Sequence, residues 1–416
     1  MEIKSAIQDI VKRTKAYNCI ECGKCSSVCP ISLLNEVCLP RITVRKALFE
    51  TPEVLLKDEL LWSCTGCGLC YERCEFDVEF PEFIKNLRIE AYKIGKEGVY
   101  AHNGAMQSIM RMMALYSNLK QNRLDWLTED LKVQIFPTNS TNSINSTNSD
   151  NLIYFVGCLP YFDKFFTNLE CSSALECSSA LECSSALELN TLNIAKSTIK
   201  ILNHLDIEPI LMRDERCCGH DLLWTGDIEN FKKLAQQNIE MIKQTGVKKL
   251  IFSCPECYQT FKQEYPKYIG ALDIEAIHIS ELISEKLPEL KFQQPTTEHR
   301  QPFTYQDPCR LGRLCGIYEE PRQIISAIGV KLNEMLKNRK SAICCGTSGW
   351  MNCGAHSKQI QINRLKEAKS TGAELLITSC PKCQIHFKCA MKDENTPNEA
   401  KIEIQDLTTL VANYLK

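Results

Sequence analysis

The sequence has little net charge and no long hydrophobic run. Its 49 lysines and arginines are nearly balanced by 51 aspartates and glutamates, which excludes a general polyanion binder, so no nucleic-acid partner is expected. No stretch approaches the roughly 18 consecutive apolar residues that a membrane-spanning helix needs. Residues 1–13 lack the apolar centre of a signal peptide, so we expect a cytoplasmic protein that reaches the inner face of a membrane only through a partner. A glycine-rich dinucleotide fingerprint is also missing.

Cysteine is abundant instead, with 25 among 416 residues. Nine cysteines lie in residues 1–100, none lies in 101–157, and sixteen follow. Because thiols stay reduced in the cytosol, clustered cysteines there indicate metal ligands or redox groups rather than structural disulfides.

A duplication organises the second half of the chain. GVKKLIFSCPECYQTFK (246–262) matches GAELLITSCPKCQIHFK (372–388), and ERCCG (215–219) matches AICCG (342–346). Two low-complexity segments interrupt the pattern: a polar stretch at 138–151, typical of a linker, and ECSSAL repeated three times at 170–188, an insertion in the first copy alone. The predicted domains follow from these boundaries: 1–100, a helical segment and linker at 101–151, a first repeat at 152–295 and a second repeat at 296–416.

Strands alternate with helices in both repeats. Each opens with a short apolar run that ends at a cysteine and closes with another that leads into Cys-Pro-x-Cys, with apolar-periodic helices between them. This order predicts parallel α/β sheets with sites at the carboxyl ends of the strands. The N-terminal region lacks such strands, and RITVRKALFE and EVLLKDELLW look helical. The predicted fold class is therefore α+β overall, with a mostly α-helical first domain and two duplicated α/β domains.

Two four-cysteine runs in residues 1–100 have the spacing of a bacterial two-cluster ferredoxin. In that pattern three closely spaced thiolates bind one [4Fe–4S] cube, and the fourth cysteine reaches the other cube. We assign to the first cluster Cys19, Cys22, Cys25 and Cys74. We assign to the second cluster Cys64, Cys67, Cys70 and Cys29. The alternative is a pair of structural zinc sites.

Each repeat carries five motif cysteines, one more than a cubane or zinc site uses. The first five-cysteine set is Cys158, Cys217, Cys218, Cys254 and Cys257. The second five-cysteine set is Cys309, Cys344, Cys345, Cys380 and Cys383. A larger or split cluster with a bridging thiolate fits five ligands, and Gly219 and Gly346 would allow a sharp turn close to the metal. An ordinary zinc or [4Fe–4S] site with a spare thiol is the alternative.

These motifs resemble a known family, the CCG-domain iron–sulfur proteins of heterodisulfide reductase. The Cys…CysCysGly…CysProxCys repeat is similar to the CCG domain of its B-type subunit, and the four-cysteine runs are similar to its C-type subunit. Both in one chain resemble the D-type subunit, or a fusion of the C-type and B-type subunits. The resemblance implies a ferredoxin-like first domain with two cubane clusters, and two noncubane [4Fe–4S] clusters on the ten catalytic cysteines of the five-cysteine sets. It also implies the methanogenic reaction, in which the disulfide of coenzyme M and coenzyme B is cleaved between the noncubane clusters.

The implied substrate is anionic. Arg310, Arg313 and Lys382 are candidate anion-binding residues, and His220 is a candidate proton donor, with His356 a weaker one. Solvated surface charge and packed histidines are the alternatives. No role is assigned to Cys38, Cys315, Cys353 or Cys389, although Cys315 and Cys353 lie near motif cysteines in the sequence.

The resemblance implies a multi-subunit complex. Electrons would enter at the N-terminal clusters from a flavin-containing subunit or a membrane cytochrome subunit. The competing interpretation is an electron-transfer subunit of a glycolate, lactate or glycerol-3-phosphate dehydrogenase complex that passes electrons to a quinone.

Overall fold

In the computed structural model, the described residues are 2–35, 40–116, 122–136, 151–167, 189–293, 302–351 and 353–416. Nearly all of the polar stretch at 138–151, the ECSSAL array with Cys171, Cys177 and Cys183, and Cys38 lie outside them. The predictions made for those residues stay predictions.

The N-terminal region is helical, as predicted. Its helices are α1 (Glu2–Arg13), α2 (Lys24–Val28), α3 (Pro40–Phe49), α4 (Pro52–Leu56), α5 (Leu60–Ser63), α6 (Phe80–Lys93) and α7 (Ala105–Leu115). Prolines stand in the first turns of α4 and α6, where the missing N–H costs no hydrogen bond. Helix α6 buries Phe83 and Leu87 completely in a core shared with α1. The apolar face of α7, formed by Met106, Met110 and Met113, is also buried.

The first repeat contains a five-stranded parallel sheet in the order β1-β3-β2-β4-β5. Its strands are β1 (Gln134–Phe136), β2 (Leu152–Phe155), β3 (Ile210–Met212), β4 (Lys249–Phe252) and β5 (Glu275–His278). Its helices are α8 (Leu159–Thr167), α9 (Leu192–His204), α10 (His220–Trp224), α11 (Ile228–Thr245), α12 (Pro255–Gln259), α13 (Tyr265–Ile269) and α14 (Ile279–Glu285). A π-helical turn at Thr260–Glu264 joins α12 to α13. Strand β1 comes from the segment expected to be helix and linker.

The second repeat contains a three-stranded parallel sheet in the order β6-β7-β8. Its strands are β6 (Phe303–Gln306), β7 (Leu375–Thr378) and β8 (Glu403–Asp406). Its helices are α15 (Glu319–Ile328), α16 (Ala355–Ser370), α17 (Pro381–Lys392) and α18 (Leu407–Tyr414). Strands β6, β7 and β8 repeat β2, β4 and β5 in the same order, which confirms the duplicated α/β architecture. Helix α18 packs against α9 of the first repeat.

The strands deliver their cysteines to one edge of each sheet. Cys158 and Cys254 follow the carboxyl ends of β2 and β4, and Cys309 and Cys380 follow the ends of β6 and β7. Pro255 and Pro381 then start helices α12 and α17 directly after the cysteines. Within the described ranges, no helix is long and apolar enough to cross a membrane.

Candidate iron–sulfur centres

Four thiols from both N-terminal runs line one cavity. They are Cys19, Cys22, Cys25 and Cys74. Cys22 is exposed, so this cavity opens at the surface of the protein. The crossed grouping predicted for the first cluster is therefore present in space, although its metal ligation stays a prediction.

A second cavity is lined by the complementary four thiols. They are Cys29, Cys64, Cys67 and Cys70. The Gly66 N–H donates to Cys64 Sγ at 3.3 Å, and burial raises the pKa of Cys64 to about 11. Backbone donors around thiolates and four converging sulfurs fit a [4Fe–4S] cube, because the cation it contains favours the deprotonated sulfurs that burial alone disfavours.

The fully buried Arg88 fixes the wall of this second cavity. Its guanidinium donates to Leu61 O at 2.9 Å, to Cys64 O at 2.6 Å and to Trp224 O of the first repeat at 3.1 Å. One side chain thus ties the second four-cysteine run to the first repeat.

The five cysteines of the first set come together. Cys158 Sγ lies 3.5 Å from Cys217 Sγ. Hydrogen bonding to Cys217 raises the pKa of Cys218, whereas Cys257 opposes that rise, and the Cys218 and Cys254 thiols in turn raise the pKa of Cys257. These mutual effects require all five thiols to be neighbours.

The predicted turn after each cysteine pair is present. Gly219 has φ +79° and Gly346 has φ +84°, and their N–H groups donate to Cys217 Sγ and Cys344 Sγ, each at 3.4 Å. A Cβ on Gly219 would lie 2.9 Å from a ring carbon of Phe231, so only glycine fits without a shift.

A buried carboxylate holds the loops of the first set. Glu215 accepts N–H groups of Val156 at 3.1 Å and Gly157 at 2.7 Å, and it pairs with Arg123 at 2.5 Å. Burial raises the pKa of Glu215 to about 7, although Arg123 opposes the rise. These bonds connect the residues before Cys158 to those before Cys217.

The second set is also assembled, with an imidazole beside it. Hydrogen bonding to Cys383 lowers the pKa of Cys345, and His386 lies against the same sulfur, with Nδ1 3.4 Å from Cys345 Sγ. Burial raises the pKa of Cys309 to about 12, and neighbouring Cys345 adds to the rise while the adjacent arginines oppose it.

The second cavity touches the second set directly. Thr65 Oγ1 lies 3.4 Å from Cys344 Sγ, and a hydrogen bond with Cys344 lowers the pKa of Cys67. Arg310 donates to Gly66 O at 2.5 Å, and Arg313 donates to Cys67 O at 2.7 Å. The two arginines predicted to bind anions are thus in contact with backbone carbonyls of the second four-cysteine run, and anion binding by them stays a prediction.

The two five-cysteine sets approach each other through the middle of their Cys-Pro-x-Cys motifs. Lys382 of the second repeat pairs with Asp221 and, at 2.6 Å, with Glu256 of the first repeat. Hydrogen bonding to Cys383 lowers the pKa of Cys380, whereas burial and then Cys254 raise it, and the rise prevails. Cys254 and Cys380 therefore lie on facing sides of the boundary between the repeats.

The histidine candidates differ in position. His220 is buried, with Nδ1 3.2 Å from Thr260 Oγ1 and Nε2 3.4 Å from Glu256 Oε1. Burial lowers the pKa of His220 well below its usual value, so the ring is neutral near pH 7. His356 is exposed in α16. Neither observation tests a proton-transfer role.

Two of the unassigned cysteines lie at the edges. Cys315 is half-buried beside Gln263, and Cys353 is exposed. Cys389 is half-buried near Lys358.

The sequence reasoning missed several residues at these centres: Thr65, Arg88, Glu215, Asp221, Glu256 and His386. Glu256 had a detectable signal, because it occupies the position of Lys382 in the other repeat with the opposite charge. Arg88 and Thr65 had none, since their partners lie far away in the sequence.

Comparisons with known proteins agree with this architecture. The 4Fe–4S dicluster domain family matches residues 15–78, and the cysteine-rich (CCG) domain family matches residues 181–262 and 303–388. The chain is 28% identical over 436 aligned residues to the D-type subunit of the dihydromethanophenazine:CoB–CoM heterodisulfide reductase of Methanosarcina acetivorans, covering 96% of this chain and 93% of that protein. It is 24% identical to the EtfAB:quinone oxidoreductase of Syntrophomonas wolfei, covering 92% of this chain and 56% of that protein.

A crystal structure of a Helicobacter pylori protein shares the fold, with a TM-score of 0.53 and 12% identity over 99% of this chain and 76% of that one. The domain matches and the full-length similarity to the Methanosarcina acetivorans protein confirm the predicted resemblance. The chain is an iron–sulfur electron-transfer oxidoreductase of the heterodisulfide reductase-like family, with a dicluster domain followed by two CCG domains.

Proposed function

We propose that this chain is the catalytic iron–sulfur subunit of a heterodisulfide reductase that cleaves the coenzyme M–coenzyme B disulfide. In this proposal the eight N-terminal cysteines bind two cubane clusters and the two five-cysteine sets bind two noncubane [4Fe–4S] clusters. The observation that carries the proposal is that both sets are complete and face each other through Cys254 and Cys380. A disulfide bound between them would have one set on each side.

The order of the thiols supports an inward path for electrons. The exposed Cys22 places the first cavity where a donor protein can approach, and Cys70 lines both cavities. Cys67 of the second cavity then contacts Cys344 of the second set. We propose a flavin-containing or cytochrome subunit as the donor at the first cavity.

Disulfide reduction needs two electrons. When bound, the noncubane clusters would supply one electron each and a soft metal site for each leaving sulfur. The chain itself orients the thiolates through the N–H groups of Gly219 and Gly346. Lys382 fixes the distance between the sets through its two carboxylate partners.

A second function is favoured by those same ion pairs. Lys382 is neutralised by two carboxylates, and Arg310 and Arg313 are engaged with carbonyls, so the boundary between the sets holds little uncompensated positive charge for a polyanionic substrate. This favours an electron relay to a quinone or similar carrier, as the name of the Syntrophomonas wolfei relative describes for that protein.

An anaerobic assay separates the two functions. The purified chain with about sixteen iron atoms, reduced by an artificial donor, is given the mixed disulfide, and free thiols are counted. The proposal expects two thiols per disulfide, at least a tenfold loss in Cys254→Ser, and little loss in the control Cys315→Ser. Reduction of a quinone analogue without thiol release would support the relay instead.

A further inference from the structure

The two repeats exchange a histidine and a threonine. His220 of the first repeat occupies the position of Thr347 in the second, and Thr260 occupies the position of His386. In both repeats the two side chains meet: His220 Nδ1 lies 3.2 Å from Thr260 Oγ1, and His386 Nε2 lies 2.7 Å from Thr347 Oγ1. The contact is the same, but the imidazole comes from opposite elements.

This exchange moves the ring relative to the sulfurs. His386 lies one helical turn after Cys383 in α17, so both side chains share a face, and Nδ1 lies 3.4 Å from Cys345 Sγ. His220 starts α10 and directs Nε2 towards Glu256 and Arg310, each at 3.4 Å. Within the described residues, the recorded imidazole–sulfur contact of the ten motif cysteines is the one at the second set.

Charge adds to this difference. Arg310 and Arg313 lower the pKa of the otherwise burial-raised Cys309 in the second set. Asp221 adds to the raised pKa of Cys158 in the first set, after the larger effects of Cys217 and burial. Glu215 lies beside the first set as well, although Arg123 and Lys382 offset part of this negative charge.

We propose that the His386 N–H donates to the Cys345 thiolate and makes the centre of the second set easier to reduce than that of the first. A donor on a ligand sulfur stabilises the more negative, reduced form of an iron–sulfur centre and so raises its potential. The inference rests on the proposed function only in requiring clusters at both sets.

The position of the second set gives this difference a use. The second cavity contacts the second set through Thr65 and Cys344. An electron that leaves the second cavity therefore arrives first at the centre with the higher potential and is held there. The first centre, further along, is reduced only when a second electron follows.

The test is an anaerobic redox titration followed by electron paramagnetic resonance, with no disulfide present. His386→Leu removes the donor, His386→Asn restores an N–H near the Nδ1 position, and His220→Leu is the matched control in the first repeat. We expect His386→Leu to lower the midpoint potential of one noncubane centre by at least tenfold in its one-electron equilibrium, about 59 mV. His386→Asn should recover most of that shift, and His220→Leu should leave that centre unchanged.

Three results would overturn the inference: no shift in His386→Leu at full iron content, an equal shift in His386→Asn, or an equal shift of both centres. Absence of noncubane signals in the unmodified protein would overturn it together with the proposed function. Two noncubane centres with the expected shift, in a protein that cleaves no disulfide, would support this inference while rejecting the proposed reaction.

Discussion

The ion pair between Lys85 and Glu264 joins the dicluster domain to the first CCG domain. Lys85 Nζ lies 2.6 Å from Glu264 Oε2, and both side chains are almost wholly buried. Lys85→Met keeps the apolar stem but leaves the carboxylate without this cation. Removing one partner of a buried pair typically costs 3–5 kcal/mol, because the remaining charge is desolvated and uncompensated.

The contacts that remain set the expected value. Glu264 Oε1 keeps the amide of Gln259 at 2.8 Å, and Lys267 lies 4.0 Å from Oε2. We therefore expect about 3 kcal/mol, the lower end of the usual range. The measurement is anaerobic guanidinium unfolding followed by tryptophan fluorescence.

Two further variants make the reasoning refutable. Lys267→Met removes a cation that is 48% exposed, so it should cost less than about 1 kcal/mol. Lys85→Met combined with Glu264→Gln removes both charges and should recover much of the loss. A loss below about 1 kcal/mol in Lys85→Met, or a double variant less stable than Lys85→Met alone, would refute a stabilising role for this pair.

Three other outcomes are expected. Gly219→Ala should lower the iron content by about one four-iron cluster, because its Cβ meets Phe231, whereas Gly246→Ala, with φ +73° and open space around it, should lose only about 1–2 kcal/mol of stability; equal iron contents would contradict this. Cys74→Ser should remove the spectroscopic signal of the same cluster as Cys19→Ser, and Cys29→Ser that of the other cluster; the reverse pattern would reject the crossed assignment. Burial raises the pKa of Asp406 to about 7, above roughly 3.9 in the unfolded chain, so its contribution to stability is full below about pH 4 and is lost as the pH rises through 7. Asp406→Asn should remove a decline of about 2–4 kcal/mol over that window in urea unfolding, and an unchanged decline would count against the shift.

Spacing alone predicted which thiols meet. The crossed grouping of Cys74 with the first run and Cys29 with the second follows from a local pattern, and the repeat alignment identified both five-cysteine sets. The strands before Cys158 and Cys309 were also predictable, because their apolar residues are buried in parallel sheets.

Contacts between domains were not predictable in the same way. Lys382 appeared as a free cation in the sequence because its partner Asp221 lies 161 residues away. Strand β1 forms at Gln134–Phe136 because an open sheet edge at β3 pairs with it, which no local pattern indicates. The Thr65–Cys344 contact depends on how two separately folded units dock.

The exposure of Cys22 has a consequence for handling the protein. Oxidation of cysteine ligands follows their accessibility, and the other seven N-terminal motif cysteines are at least partly buried. Oxygen would therefore damage the outermost cube first and leave the inner centres intact but cut off from their donor. A sample exposed briefly to air would still look largely iron-loaded while having lost its electron intake.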